Sequence, residues 1–387
     1  MNGAKKLVFV GGIIGIGHLL SLMLVPILQR FVDASVIANI AQIDASMVLV
    51  VSLLGFGITV TTTRDVATSK DWSLPAQEAF DARVALSFIL FFVGVVGYSV
   101  DDNQILWLML IASPLIALNL DFVLYGLGLP IKAALASFIR LSMPVLLYVG
   151  SVVVGYYSHI IYMICVLVFT FFASLFVLKS ASYQPTFKLS LVSLKRYSES
   201  FFVGLGGFAL SFQRFGILAF YAGVEDNTVY LFFSLKAYMA FVAIRRLFIQ
   251  TFYKQLLNEV ISKNINRLIF ISAAIFFVFV YLFSQEMSEL IFNQPDGGRF
   301  LILTALLILS GSLFSCSDAQ LILMEGDRKY VFITVSAFLV FGISFAVFTT
   351  LDFETPLIAS LILSEALLGV GYLIAIKKIS VNERKNN

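Results

Sequence analysis

Apolar runs of about 20 residues follow one another along almost the whole chain, and this pattern restricts the fold more than any other feature. Only 13% of the residues are charged, whereas a soluble domain carries about 25%. Within lipid, backbone polar groups must be satisfied inside a helix or a closed barrel. The runs lack the alternation of barrel strands. The sequence therefore predicts an all-α polytopic membrane protein.

The positions of these runs predict twelve transmembrane helices. They are Leu7–Leu28, Val36–Val60, Val84–Val100, Ile105–Tyr125, Ile131–Val154, Ile160–Leu178, Phe201–Ala222, Thr228–Ile244, Leu268–Phe283, Phe300–Met324, Tyr330–Leu351 and Pro356–Ile376. The ninth is short for a bilayer, which takes about 20 residues to cross as a helix.

Basic residues in the short connections predict the orientation, because Lys and Arg concentrate on the cytoplasmic side of a membrane. With both termini placed in the cytoplasm, the inner segments hold twenty-one of the 26 Lys and Arg residues. The outer loops hold Arg30 and Arg299. This asymmetry favours an even number of spans and two cytoplasmic termini.

The longest polar connection, Lys179–Ser200, divides the predicted spans into two halves of six. We therefore predict an N-terminal lobe (1–180), a cytoplasmic link (181–200) and a C-terminal lobe (201–387). The segment VGGIIGIGHLLSLML near Val10 is faintly similar to VGLGGFALSFQRFGI near Val203. Parallel six-helix repeats with a substrate site between them are typical of transporters.

The stretch Leu54–Ala67, LGFGITVTTTRDVA, marks the predicted point at which the chain leaves the membrane on the cytoplasmic side. Gly55 and Gly57 interrupt the apolar run, and we interpret them as packing positions. Arg64 and Asp65 follow the threonines. We expect this pair to anchor the inner end of the N-terminal lobe at the membrane surface.

Ionisable side chains within the predicted spans are candidates for function, because a charge in the membrane is costly unless it faces protein or water. They are Asp44, Asp121, Arg140, Arg214, Lys236, Asp318 and Glu365. Asp121 and Asp318 lie near cytoplasmic span ends, where a structural role is the simpler interpretation. Asp44 and Glu365 lie within their spans, with no cation close in sequence. Each of these four acids is a candidate for ion coupling or for a salt bridge.

Arg214 and Lys236 are the strongest candidates for substrate binding. Each lies about eight residues from the outer end of its span, or roughly 12 Å deep, on consecutive helices. We expect them to be neighbours that form an anion site. Gly204, Gly207 and Ser211 share a helix face with Arg214. This face is either a helix-packing seam or the wall of a cavity.

Arg140 repeats this pattern in the fifth span, where Ala133, Ala136 and Ser137 share its helix face. We expect Arg140 to be a third cation of the substrate site. Each half of the chain would then contribute positive charge to one cavity.

Motifs of other protein classes are missing from the sequence. It has two His residues, no cluster spaced for a metal, and no GxxxxGK phosphate loop. The net charge of +3 does not indicate nucleic-acid binding. We therefore expect no cofactor and no ATP hydrolysis, with H⁺ or Na⁺ as candidate coupling ions.

Three segments resemble one family. LGFGITVTTTRDVATSK resembles the end of span two in the Wzx-type O-antigen flippases, the polysaccharide-export family of the MOP superfamily. LDFVLYGLGLPIKAALASFIR resembles the hairpin between spans four and five, and VEDNTVYLFFSLKAY the turn between spans seven and eight. Many relatives carry an acid beside the arginine of span seven, where this chain has Gln213. That departure weakens a proton-coupling role for this position.

The resemblance implies a non-enzymatic flippase of the bacterial inner membrane. Two six-helix lobes would enclose a MATE-like, V-shaped central cavity. The substrate would be an undecaprenyl-diphosphate-linked oligosaccharide, moved to the periplasmic leaflet by alternating access. Arg140, Arg214 and Lys236 would bind its diphosphate. A polysaccharide polymerase and a chain-length regulator are the implied protein partners.

Three alternatives remain open at the level of sequence. The chain is also compatible with a cation-coupled exporter of the MATE type or with a lipid II flippase. The enzyme alternative is a membrane-embedded polymerase or glycosyltransferase. Those chemistries usually need a sizeable outer loop, and the longest one here covers about 284–299.

Overall fold

A computed structural model of the chain describes residues 3–386 except 102, 187–193, 222–226, 252–255, 257, 314, 325 and 354. The described residues form helices and no strand. In chain order the helices are α1 (Gly3–Leu28), α2 (Ala34–Gly55), α3 (Ile58–Thr68), α4 (Ser73–Val100), α5 (Gln104–Ile111), α6 (Ser113–Ala117), α7 (Asp121–Gly126), α8 (Pro130–Val153), α9 (His159–Ala181), α10 (Lys195–Glu199), α11 (Phe201–Tyr221), α12 (Thr228–Thr251), α13 (Glu259–Leu282), α14 (Ser284–Phe292), α15 (Gly298–Ser312), α16 (Ser317–Leu323), α17 (Asp327–Thr350) and α18 (Pro356–Asn386).

The structure confirms a polytopic all-α membrane protein. Within the described residues, ten helices are long and apolar enough to cross a membrane, and a bent pair, Gln104–Ile111 with Ser113–Gly126, makes an eleventh candidate. Helix α11, with 21 residues, occupies the position predicted for the seventh span. The helices thus follow the order of the predicted spans, and the count of twelve stays a prediction.

Contacts divide the chain into two compact units, Met1–Phe232 and Phe233–Asn387, with the boundary inside α12. We call them unit 1 and unit 2. Unit 1 includes α11, the first helix of the predicted C-terminal lobe. The division into lobes at 181–200 stays a prediction, and 187–193 of that link and the turn 222–226 lie outside the described residues.

Helix α2 is the centre of unit 1. It contacts α5, α6, α9 and α11, and its buried face includes small and polar residues such as Ala38, Gln42 and Ser46. Helix α1 packs on α8, α8 on α9, and α4 on α5 and α6. In unit 2, α15 contacts α13, α14 and α18, while α17 packs on α18. Small side chains on α2 allow its neighbours in unit 1 to pack closely against it.

The predicted second span does not continue to Val60. Helix α2 ends at Gly55, and α3 begins at Ile58. Gly57 has φ +78°, a left-handed conformation that glycine adopts without steric cost. The threonine-rich stretch is therefore a separate helix with Thr62 and Val66 buried, and the membrane exit at this point stays a prediction.

The third span begins earlier than predicted, at Ser73 rather than Val84. The Asp71 carboxylate accepts hydrogen bonds from the backbone N–H and the hydroxyl of Ser73 at 3.1 and 2.7 Å, which lowers the pKa of Asp71. The added turns bury Ala76, Ala79 and Phe80. A polar segment that looked like a loop is therefore the first part of a long helix. Likewise, α13 begins at Glu259, which makes the ninth span longer than predicted.

The fourth and tenth spans are both broken. The fourth is divided into α5, α6 and α7, and the tenth into α15 and α16. In a membrane, backbone groups freed by a break must find partners within the protein. The predicted outer loop 284–299 is also structured, because it contains α14 and a short 3-10 helix, Pro295–Gly297.

Candidate functional site

Arg140 lies on α8 and forms an ion pair with Asp121, the first residue of α7, with 3.3 Å between Nη2 and Oδ2. The two side chains are 19% and 20% exposed. The predicted substrate cation and one of the predicted acids thus meet in unit 1. This contact is the salt-bridge alternative for Asp121, and the substrate role of Arg140 remains a prediction.

Arg83, which the sequence placed in a predicted cytoplasmic connection, has charge interactions with both members of this pair. It is 2% exposed on α4. Its Nε donates to the carbonyl of Ala117 at 3.3 Å and its Nη2 to that of Ile116 at 3.4 Å. The guanidinium also lies 5.5 Å from the ring centroid of Phe122. Arg83 therefore satisfies carbonyls at the break in the fourth span.

The sequence contained a signal that Arg83 is buried. Ala76, Ala79, Phe80 and Arg83 are spaced as i, i+3, i+4 and i+7, the pattern of one helix face. The burial of Arg83 was missed because the neighbouring polar residues Gln77, Glu78 and Asp81 obscured that face. The cytoplasmic orientation stays a prediction.

Arg83, Asp121 and Arg140 form what we call the α7 cluster. Both Asp121 and Arg140 are near enough to Arg83 to interact with its charge. Two guanidinium groups and one carboxylate give this cluster an excess of one positive charge. Inside a low-dielectric protein, such an excess attracts anions much more strongly than it would in water.

Unit 2 has a related arrangement at the break in the tenth span. Arg245 on α12 donates from Nη1 to the carbonyl of Gly311 at 3.3 Å, and its Nη2 lies 3.4 Å from Oδ2 of Asp318. Here one arginine contacts both the freed carbonyl and the acid that begins the next helix segment. Asp318, a predicted coupling or salt-bridge residue, is thus in an ion pair.

The other two predicted acids lie on different helices. Asp44 on α2 accepts a hydrogen bond from the Tyr162 hydroxyl at 2.7 Å, and Tyr162 is 2% exposed on α9. Glu365 on α18 is 4% exposed. A role of either acid in ion coupling stays a prediction.

Arg214 and Lys236 are both partly buried, on α11 and α12. The unit boundary falls between them, so Arg214 belongs to unit 1 and Lys236 to unit 2. Their expected proximity remains a prediction. Gln213, which stands where many members of the resembled family carry an acid, is fully buried.

The small-residue face of α11 is a packing seam at one position and open at the next. A Cβ on Gly204 would lie 2.6 Å from the carbonyl oxygen of Phe56, whereas a Cβ on Gly207 would meet no atom within 4 Å. The packing seam therefore accounts for Gly204, whereas Gly207 faces open space, and a cavity at this face stays a prediction. The open part lies closer to Arg214 in sequence.

Polar contacts join α10, at the end of the link, to α2 and α3 in unit 1. Arg196 forms an ion pair with Asp65, and the Tyr197 hydroxyl donates to the Leu54 carbonyl at 2.8 Å. Burial raises the pKa of the Tyr197 phenol, so this hydroxyl stays a donor at neutral pH. Asp65 thus ties α3 to α10, while Arg64 is 72% exposed.

Polar contacts also join α11 to the opposite end of α2. The Gln42 amide donates to Asn103 Oδ1 at 2.6 Å and to the Ala219 carbonyl at 3.0 Å. Helix α11 is therefore held against α2 near both of its ends. Among the described residues, no group of three or more His, Cys, Asp or Glu side chains is placed to hold a metal ion.

The fold is that of the MATE transporters of the MOP superfamily. The chain is similar to an outward-facing multidrug resistance MATE family transporter of that superfamily, with a TM-score of 0.69 and 16% identity over 99% of this chain and 97% of that one. It is also similar to the eukaryotic MATE transporter AtDTX14, with a TM-score of 0.68 and 12% identity over 99% and 98% of the two chains. No protein-family model and no curated protein sequence matches the chain.

Proposed function

We propose that this protein is a flippase for polyprenyl-diphosphate-linked oligosaccharides of the bacterial inner membrane. Two findings support this function, namely the MATE-type fold and the resemblance of three sequence segments to O-antigen flippases. The diphosphate headgroup crosses the bilayer within the protein while the polyprenyl tail stays in the lipid. A polysaccharide polymerase and a chain-length regulator are the proposed partners on the periplasmic side.

The positive charge of the α7 cluster is the observation that carries this proposal. A diphosphate is a multiply charged anion, and guanidinium groups bind phosphate oxygens through paired, charge-assisted hydrogen bonds. Arg140 is the arginine of the cluster with a partly exposed side chain, since Arg83 is fully buried. We assign the headgroup to Arg140, with Arg214 and Lys236 as further cationic contacts. Asp44 and Glu365 are the proposed coupling groups for H⁺ or Na⁺.

A second candidate is a cation-coupled drug exporter, which the multidrug resistance transporter of similar fold favours. Binding a cationic drug calls for acidic side chains that are available to it. Asp121 and Asp318 are each in contact with an arginine. The α7 cluster also has the wrong sign for a cation. We therefore rank the exporter second.

The location of the lipid-linked repeat unit in a deletion strain tests the function. We expect the repeat unit to accumulate where a membrane-impermeant oxidant added to spheroplasts does not reach it, while wild-type cells expose it. A repeat unit that is equally accessible in the deletion strain would contradict the flippase. Loss of ethidium efflux with normal accessibility would support the exporter instead.

Single substitutions of Arg214 and Lys236 by Ala test the wider site. Each should lower transport of the repeat unit, because each removes a cation from an anion site. Complementation of the deletion strain is measured at matched protein level. Transport that stays intact in both variants would remove the two residues from the site.

A further inference from the structure

The fourth and tenth spans share one arrangement, in which an arginine pairs with an acid at a break in the helix. In each, a helix stops, a second segment begins with an acid at its first or second position, and an arginine from another helix contacts that acid. Asp121 begins α7, and Asp318 is the second residue of α16. Both breaks therefore combine freed carbonyl groups with a carboxylate.

Within the described residues, the contacts that arginines make at the two breaks differ. In unit 2, Arg245 contacts both the Gly311 carbonyl and Asp318. In unit 1, Arg83 donates hydrogen bonds to the carbonyls of Ile116 and Ala117. Arg140 is thereby left with Asp121 as its ion-pair partner within the described residues. Unit 1 thus has one arginine more than its broken span requires.

This difference decides which ion pair can open at low cost. Moving Arg245 away from Asp318 would also disturb its bond to a carbonyl, and an unsatisfied buried carbonyl costs about 1–3 kcal/mol. Moving Arg140 disturbs no carbonyl. Asp121 would still interact with the charge of Arg83, which stays in place. Arg140 can therefore change partners while the break in the fourth span remains satisfied.

We propose that Arg140 is an exchangeable anion ligand, held by Asp121 in the unloaded protein and transferred to the diphosphate headgroup when substrate binds. This inference rests on the flippase function proposed above. Arg83 is the positioning residue that makes the exchange possible, because its hydrogen bonds to the Ile116 and Ala117 carbonyls do not involve Arg140. Asp121 acts as a competitor of the substrate, which favours release of the headgroup after it has crossed.

Binding of undecaprenyl diphosphate to the full-length protein in nanodiscs of zwitterionic lipid tests the exchange. Asp121→Asn removes the competitor and should tighten binding about fivefold. This factor corresponds to the upper end of the coupling free energies of exposed ion pairs. Arg140→Gln should weaken binding about tenfold or more, because it removes a charge-assisted contact. The double variant should bind like Arg140→Gln, because Asp121 acts through Arg140.

Glu199→Gln is the matched control, because it removes a carboxylate from a different arginine pair of unit 1, that with Arg196. Its affinity should equal that of the wild type. Asp121→Ser replaces Asp121→Asn if the latter is not recovered folded. Tightening in the double variant or in Glu199→Gln would show a general charge effect and overturn the exchange.

The outcomes separate this inference from the function on which it rests. Weaker binding in Arg140→Gln together with unchanged or weaker binding in Asp121→Asn would overturn the exchange and leave the proposed anion site in place. A wild-type protein that binds undecaprenyl diphosphate no better than a zwitterionic phospholipid would overturn both.

Discussion

At the scale of single residues, the two arginines of the α7 cluster differ in their contacts, and we propose different roles for them. Arg83 is fully buried and bonded to carbonyls, so its contacts are those of a structural group. Arg140 is partly exposed and paired with a carboxylate, which the anionic headgroup replaces in the exchange that we propose. The residue type alone does not distinguish these roles. What distinguishes them is the set of groups that the fold places around each guanidinium.

Replacing Arg83 by Leu should destabilise the protein strongly. The change removes the guanidinium donor of the Ala117 carbonyl and leaves the Ile116 carbonyl with only the Asn119 N–H, at a cost of about 1–3 kcal/mol. Unfolding in mixed micelles measures this loss. Arg64→Leu is the control, because Arg64 is 72% exposed, and its effect should stay within about 0.5 kcal/mol. An Arg83→Leu protein as stable as the control would contradict the capping role.

At the scale of helices, the start of α11 packs closely against the backbone at the α2–α3 break. Gly57 and Gly204 allow it, since a Cβ on Gly57 would lie 2.5 Å from the Ser200 carbonyl oxygen. Tyr197 and Arg196 add a hydrogen bond and an ion pair on the same side. Gly57 thus acts through packing, as the sequence predicted, whereas a Cβ on Gly55 would meet only the Thr59 side chain at 3.4 Å.

Two glycines of α11 give a matched test of this packing. Gly204→Ala should destabilise unit 1 by about 1–3 kcal/mol, because the methyl group meets the Phe56 backbone. Gly207→Ala should leave the stability unchanged or raise it by up to about 1 kcal/mol, because alanine favours the helix and its methyl group meets open space. Thermal unfolding of both proteins in one detergent compares them. Equal stability of the two variants would contradict the seam.

At the scale of the whole molecule, hydrophobic run length predicted the helical membrane fold and the order of the spans. It did not predict the broken fourth and tenth spans, because hydropathy averages over a break that leaves composition unchanged. The start of α4 was missed because its polar face obscured the buried one. The pair between Arg245 and Asp318 joins residues 73 positions apart, so no local pattern could indicate it.

The sequence predicted the candidate site only in part, because the contacts between its residues depend on tertiary packing. The cost of intramembrane charge led directly to Arg140 and Asp121, but their contact with each other depends on how α7 and α8 pack. Arg83 completes the α7 cluster only because α4 extends beyond the predicted span. The sequence thus indicated which residue types matter, and tertiary packing decided which of them share a site.

Leaflet exchange by the purified protein tests the central claim most directly. Proteoliposomes are prepared with a fluorescent undecaprenyl-diphosphate oligosaccharide, and a membrane-impermeant reductant reports the fraction in the outer leaflet. The flippase account predicts that wild-type protein makes nearly all of the probe accessible under a coupling-ion gradient, and that Arg140→Gln slows this about tenfold or more. Accessibility that stays at the level of protein-free liposomes would contradict it.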